Sequence, residues 1–169
     1  EYGAMSPHDE DPTWDPPCYG GLGERIQEKG YTGGSGFAEV MAFMDDPILS
    51  VEAWMATVYH RLPLTAPSSK DMGYGHSPGC DTINVGYGGA GGEWEVLYPV
   101  DGQEDVDTAW SGNEGPQPPP PPGGYPSGPV ITIQFGVGNF LVTEAELRGP
   151  DGTDEGVTLL TPDNDPYLG

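Results

Sequence analysis

Apolar residues recur at three- and four-residue spacing through Ile48, Val51, Met55, Val58 and Leu62, and Trp54 and Tyr59 widen the same face. That spacing predicts an amphipathic helix. Asp46-Pro47 is a start signal, because Asp46 can accept from a first-turn N–H and Pro47 has no donor to lose there. Pro63 predicts an end near Tyr59 to Arg61. His60 and Arg61 then sit at the C-terminal end, where unpaired carbonyls favour cations. The segment Ser50 to Gly75 also leads into the first strand, so we take it as the centre of the first domain.

Around this helix the pattern is shorter and more broken. GLGERIQEKG (Gly21 to Gly30) predicts a short helix with a left-handed cap at Gly30. Its Glu24/Glu28 and Arg25/Lys29 pairs do not neutralise one another at those spacings, so its stability falls to the packing of Leu22 and Ile26. FAEVMAFM reads as either a short helix or a strand. Glu39 lies among Phe37, Val40, Met41 and Phe43, so burial would demand a partner, for which His60 is the natural candidate. DMGYGHS and DTINVGYGG, joined at Pro78-Gly79, predict a hairpin, and Glu93 to Val100 supplies a further strand. Residues 1 to 21 are turn-rich.

Past Val100 the chain becomes acidic and then proline-rich, which predicts a linker over 101–129, with Pro118 to Pro122 as an extended spacer. VITIQF (Val130 to Phe135), NFLVTEAEL (Asn139 to Leu147) and VTLLTP (Val157 to Pro162) then read as strands, with a turn at Pro150-Asp151-Gly152. Three strands are too few for a closed sandwich, so either the 93–100 strand joins them or the β unit is cut short.

The run WMATVYHRLPLTAPSSKDMGYG resembles the bacterial branch of the CAP superfamily, the cysteine-rich secretory and pathogenesis-related proteins. Trp54, His60, Arg61, Gly73 and Gly75 match the family pattern there, and Tyr59 replaces its usual Gly. GFAEVMAF resembles the family's Gly-Glu-Asn segment with Glu39 as the Glu and Val40 in place of Asn, and His8 in SPHDEDP takes the place of the first His. The resemblance covers roughly residues 5 to 100. It implies a CAP-like αβα sandwich over 1–100, whose first helix would precede Glu1; followed by the 101–129 linker and by strands that read as a partial immunoglobulin-like β segment over 130–169, this makes the expected chain α+β. It also implies a cavity in which His60, Glu39 and His8 hold a divalent ion such as zinc. The second family Glu falls on Thr57, which leaves that set one ligand short.

Composition narrows the function further. Only 35% of the 169 residues are hydrophobic, and 28 Gly and 20 Pro predict a loop-rich fold with thin cores. A formal charge of −22 argues against nucleic acid or an anionic membrane surface as partner. No apolar run is long enough to span a bilayer, and the chain opens at Glu1 rather than Met, as a processed chain would. Cys18 and Cys80 form no CxxC pair, which leaves open a single disulfide tying the N-terminal loop to the first sheet against two separate thiols. His76 reads as a strand-end surface residue. Three acidic loops carry oxygens of the kind calcium takes: Asp101, Asp105 and Asp107; Asp151 and Asp154; Asp163 and Asp165. None has full EF-hand spacing, and each alone is also an ordinary polar turn.

Three function classes follow. The leading one is a secreted, non-enzymatic CAP-type binding or structural module at the cell exterior, partnered by itself or by another extracellular protein. The second is a subunit of a cation-stabilised extracellular polymer, because an incomplete β unit offers an open edge to a neighbour's strand. The third is a metal-dependent hydrolase with Glu39 and His60 as acid and base.

Overall fold

The computed structural model describes residues 21–89, 95–136, 138 and 140–168. The described residues form a mixed α+β fold of three helices and two small open sheets. His8 and Cys18 lie outside the described residues.

Helix α1 (Leu22–Glu28) ends as its sequence predicts. Gly30 turns left-handed at φ 83°, its N–H reaches Gln27 O, and Tyr31 N–H reaches back to Ile26 O. These two bonds satisfy the last-turn carbonyls. FAEVMAFM resolves as a strand: β1 (Gly36–Ala42) pairs antiparallel with β3 (Cys80–Tyr87), which also pairs with β2 (Ser69–Ser77). The β2–β3 hairpin turns at Pro78-Gly79, where proline's fixed φ is followed by Gly79 at φ 76°.

Side chains alternate across a strand, so the two faces of this sheet take different partners. Val40 and Ala42 of β1 and Ile83 and Val85 of β3 pack with Trp54 into the buried core. Neighbouring Glu39 points to the other face, where Arg25 of α1 meets it. Helices therefore lie on both sides of the sheet. With six buried hydrophobic residues among those described, the core is as thin as the Gly and Pro content foretells.

The long amphipathic helix is two helices. α2 (Pro47–Ala56) starts as expected, Asp46 Oδ1 accepting from Ile48 N–H at 2.9 Å. It stops at Thr57, whose backbone is extended and whose hydroxyl bonds Ala53 O and Trp54 O. α3 (Val58–Thr65) then starts afresh and carries Pro63 inside it rather than ending before it. Restarting at Val58 puts His60 and Arg61 in a first turn, so their expected place at a helix C-terminus is overturned. Pro63 O, near the helix end, is capped by the Ser69 hydroxyl at 2.8 Å.

The second sheet is a two-stranded ribbon of β4 (Glu95–Tyr98) and β5 (Thr132–Phe135). Its inner face docks on α3: Gln134 Nε2 donates to Thr65 Oγ1 at 2.6 Å and Thr132 is buried. The turn at Pro150–Gly152 forms, with Gly152 at φ 83° and Asp151 Oδ1 accepting from Thr153 N–H. The strands expected at 139–147 and 157–162 do not form within the described residues; those segments run without a ladder partner.

The disulfide is corrected as well: Cys80 is a free thiol at the first position of β3. Burial, with the charges of Asp81 and Glu39, pushes its thiol pKa up, which disfavours the thiolate that disulfide formation needs.

Candidate functional site

Three carboxylates buried in the middle of the molecule organise it, and all three take partners that lie far away in the chain.

Asp81 sits on the core face of β3, fully buried. Ser50 Oγ of α2 donates to its Oδ2 at 2.5 Å, Tyr74 Oη of β2 donates to Oδ1 at 2.5 Å, and His76 Nδ1 lies 2.8 Å from Oδ1. The register makes this possible, since His76 is directly opposite Asp81 and Tyr74 is opposite Ile83, on the same face. Donation to the charged form, first from Ser50 and then from Tyr74, holds the Asp81 carboxyl below its ordinary value. The same bond pushes the Tyr74 phenol up to about 12. Ser50 and Asp81 are both fully buried, and the serine gives its proton directly to the carboxylate rather than to an imidazole. A substrate cannot reach that hydroxyl, so the cluster pins α2 to the sheet rather than activating a nucleophile.

Glu114 comes from the acidic stretch beyond β4 and closes over the start of α3. Its Oε2 accepts Val58 N–H at 2.8 Å, and its Oε1 accepts Tyr59 N–H at 2.7 Å and His60 N–H at 3.1 Å, with His60 Nδ1 at 2.8 Å. No side-chain cap comes from Thr57, the N-cap residue, so a distant carboxylate satisfies the orphan donors instead. Asp165, also fully buried, accepts the Tyr59 hydroxyl at 2.7 Å and so ties the C-terminal segment to the same helix. Burial, ahead of the Asp165 bond, pushes the Tyr59 phenol up.

The residues singled out from sequence are thus placed apart. Glu39 bonds Arg25 at 3.0 Å and His60 bonds Glu114, so the expected Glu39–His60 pair is not made. The alternation of β1 puts Glu39 on the sheet face away from the α2 core, and Arg25 is the cation that α1 delivers there. Among the acidic loops, Asp101, Asp105, Asp107 and Asp163 are exposed, Asp151 and Asp154 accept from the N–H two residues on, and Asp165 serves Tyr59. The N–H of Thr153 holds the Asp151 carboxyl below its ordinary value. Among the described residues no group of three or more His, Cys, Asp or Glu side chains is placed to hold a metal ion. No helix among them is long and apolar enough to cross a membrane.

No family model, curated protein or solved structure matches this chain. Function therefore has to be read from its own surfaces.

The most unusual surface is the outer side of the ribbon. Leu97 and Ile133 are cross-strand partners on the face away from α3, at 41% and 56% exposure. Ile131 and Phe135 extend the same row. Beyond it, Phe140 stacks on Phe135 at 4.2 Å between centroids, and Leu141 is 79% exposed. Residues 140–146 make no backbone hydrogen bond among the described residues. Sequence reasoning found β5 through its β-branched and aromatic content, whereas the strand it read at 139–147 does not form among the described residues. It missed Asp81, Ser50 and Glu114, since nothing near Glu114 in SGNEGP marks it as a helix cap.

Proposed function

We propose that this chain is a non-enzymatic structural module of the cell exterior that assembles with further copies of itself by completing its unfinished β ribbon. The observation that carries the reading is the coexistence, in one chain, of an open two-stranded sheet and a segment, 140–146, that exposes Phe140, Leu141 and Val142 and makes no backbone hydrogen bond among the described residues. A two-stranded ribbon alone is marginal in water, and a third strand from a neighbour supplies both hydrogen bonds and apolar cover. The donor and the acceptor are different surfaces, so the contact is head-to-tail and propagates into an open polymer unless its rotation closes a ring. The resemblance of residues 54–75 to CAP-type secreted proteins, and the helices on both faces of the first sheet, support placing the module in that extracellular setting. The polar clusters support a structural role, since the buried Ser50, Asp81 and Glu114 are consumed in holding elements together.

Sedimentation velocity and negative-stain imaging test this with the native chain and an Ile133→Lys/Leu141→Lys variant. Both sites are more than half exposed, so the fold tolerates the change, and lysine on a strand edge blocks pairing. Native protein is expected to form concentration-dependent filaments that strengthen with salt or calcium, and the variant to stay monomeric. The added positive charges lower the repulsion between copies, so loss of assembly in the variant reports the surface and not the net charge. A native chain that stays monomeric at high concentration in salt and calcium overturns the proposal.

A further inference from the structure

A cleft of about 400 Å³ opens beside the C-terminal half of α2, walled by Val51 and Met55 on one side and by Tyr98, Trp110 and Val130 on the other. Arg61 lines it, and that arginine is chemically unusual. It is 2% exposed, yet it makes no ion pair among the described residues. Nε donates to Met55 O at 2.6 Å, Nη1 donates to Val130 O at 2.9 Å, and the guanidinium carbon lies 4.1 Å above the Tyr98 ring. Nη2 has no hydrogen-bond partner among the described residues. Glu114, the carboxylate whose charge reaches Arg61, is already committed to the α3 backbone and His60.

A buried guanidinium without an anionic partner is costly, and its planar fork is shaped for a carboxylate. The rest of the cleft has the opposite sign. Glu52, Asp105 and Asp107 line it from exposed positions, and Asp105 is the one non-glycine described residue held at positive φ, 57°. The whole chain carries −22, so a simple anion is repelled before it reaches Arg61. A ligand that satisfies both ends has to carry a cation as well as a carboxylate.

We infer that this cleft binds the free C-terminus of a short peptide ending in a basic residue. The terminal carboxylate meets Arg61, the aliphatic stem lies against Trp110 and Met55, and the cationic group meets Asp105 and Asp107. The volume suits a ligand of one or two residues, near the lower end of small-molecule sites. This site is independent of the ribbon edge and stands or falls separately from the assembly reading.

Isothermal titration of the full chain with three probes tests it, each N-acetylated so that the lysine ammonium is the sole cation: Ala-Lys, its C-terminal amide, and Ala-Ala. Ala-Lys is expected to bind one-to-one, with affinity falling about tenfold or more on amidation and by a similar factor for Ala-Ala. An Asp105→Asn/Asp107→Asn variant keeps the left-handed backbone accessible at position 105. It is expected to retain its melting temperature and lose about tenfold for Ala-Lys, with little change for Ala-Ala. The Trp110 indole N–H resonance is expected to shift during the titration. The inference is overturned if Ala-Lys does not saturate by about 10 mM, if the three probes bind alike, or if the variant binds Ala-Lys as the native chain does.

Discussion

Glu114 shows how much of this molecule rests on single carboxylates. It accepts three successive N–H groups at the start of α3 and meets His60 besides, so removing it strands several donors at once. Glu114→Ala is expected to cost about 2–4 kcal/mol in chemical denaturation, above the range of an ordinary helix cap. A loss below about 0.5 kcal/mol would show that water replaces it without penalty. Asp81 makes a prediction of a different kind. Its folded pKa lies below the ordinary carboxylate value, so its contribution to stability is present above that ordinary value and is lost as pH falls through the folded one. Ser50→Ala removes the largest of the bonds that lower it. The acid-unfolding midpoint should move to higher pH, and neutral-pH stability should fall by about 1–2 kcal/mol. An unchanged acid limb in circular dichroism would mean that Tyr74 and His76 alone hold the carboxylate.

Elements were legible from sequence wherever a local signal decided them. The Asp46-Pro47 start, the Pro78-Gly79 hairpin and the Gly30 cap each depend on backbone preferences of one or two residues, and each is found where the sequence places it. Gly30 allows a clean check. A Cβ there would meet nothing within 4 Å, so Gly30→Ala isolates the left-handed backbone term, expected to cost about 1–2 kcal/mol in thermal melts. The break at Thr57 was not legible, because the apolar spacing continues straight through it. The helix is divided by Glu114, which rewards a fresh start at Val58, and no window of local sequence contains that residue. The Glu39–His60 pairing failed for a related reason: β1 turned out to be a strand, so Glu39 faces α1 and finds Arg25 there.

At the scale of the whole molecule, charge and shape pull in opposite directions. The exposed apolar row from Leu97 through Leu141 favours association, while −22 per copy opposes it through long-range repulsion. Repulsion decays over about 30 Å at 0.01 M salt but about 8 Å at 0.15 M, whereas apolar burial is barely affected. Salt or divalent cations are therefore expected to control the assembly we propose, which makes ionic strength the control variable in the sedimentation experiment. The same contrast bears on the cleft at Arg61, where the acidic lining favours ligands that bring positive charge with them.

What the sequence determined by itself was therefore local or additive. Caps, turns and strand tendencies are set within a few residues, and net charge and the thinness of the core are sums over composition. What only the tertiary structure decided was partnership. Asp81 with Ser50, Glu114 with the α3 backbone, Asp165 with Tyr59 and Arg61 with Val130 each join residues dozens of positions apart. A carboxylate in a Gly- and Pro-rich stretch looks the same in sequence whether it ends in water or in the centre of the fold. Burial distinguishes the two, and burial depends on every other contact in the chain.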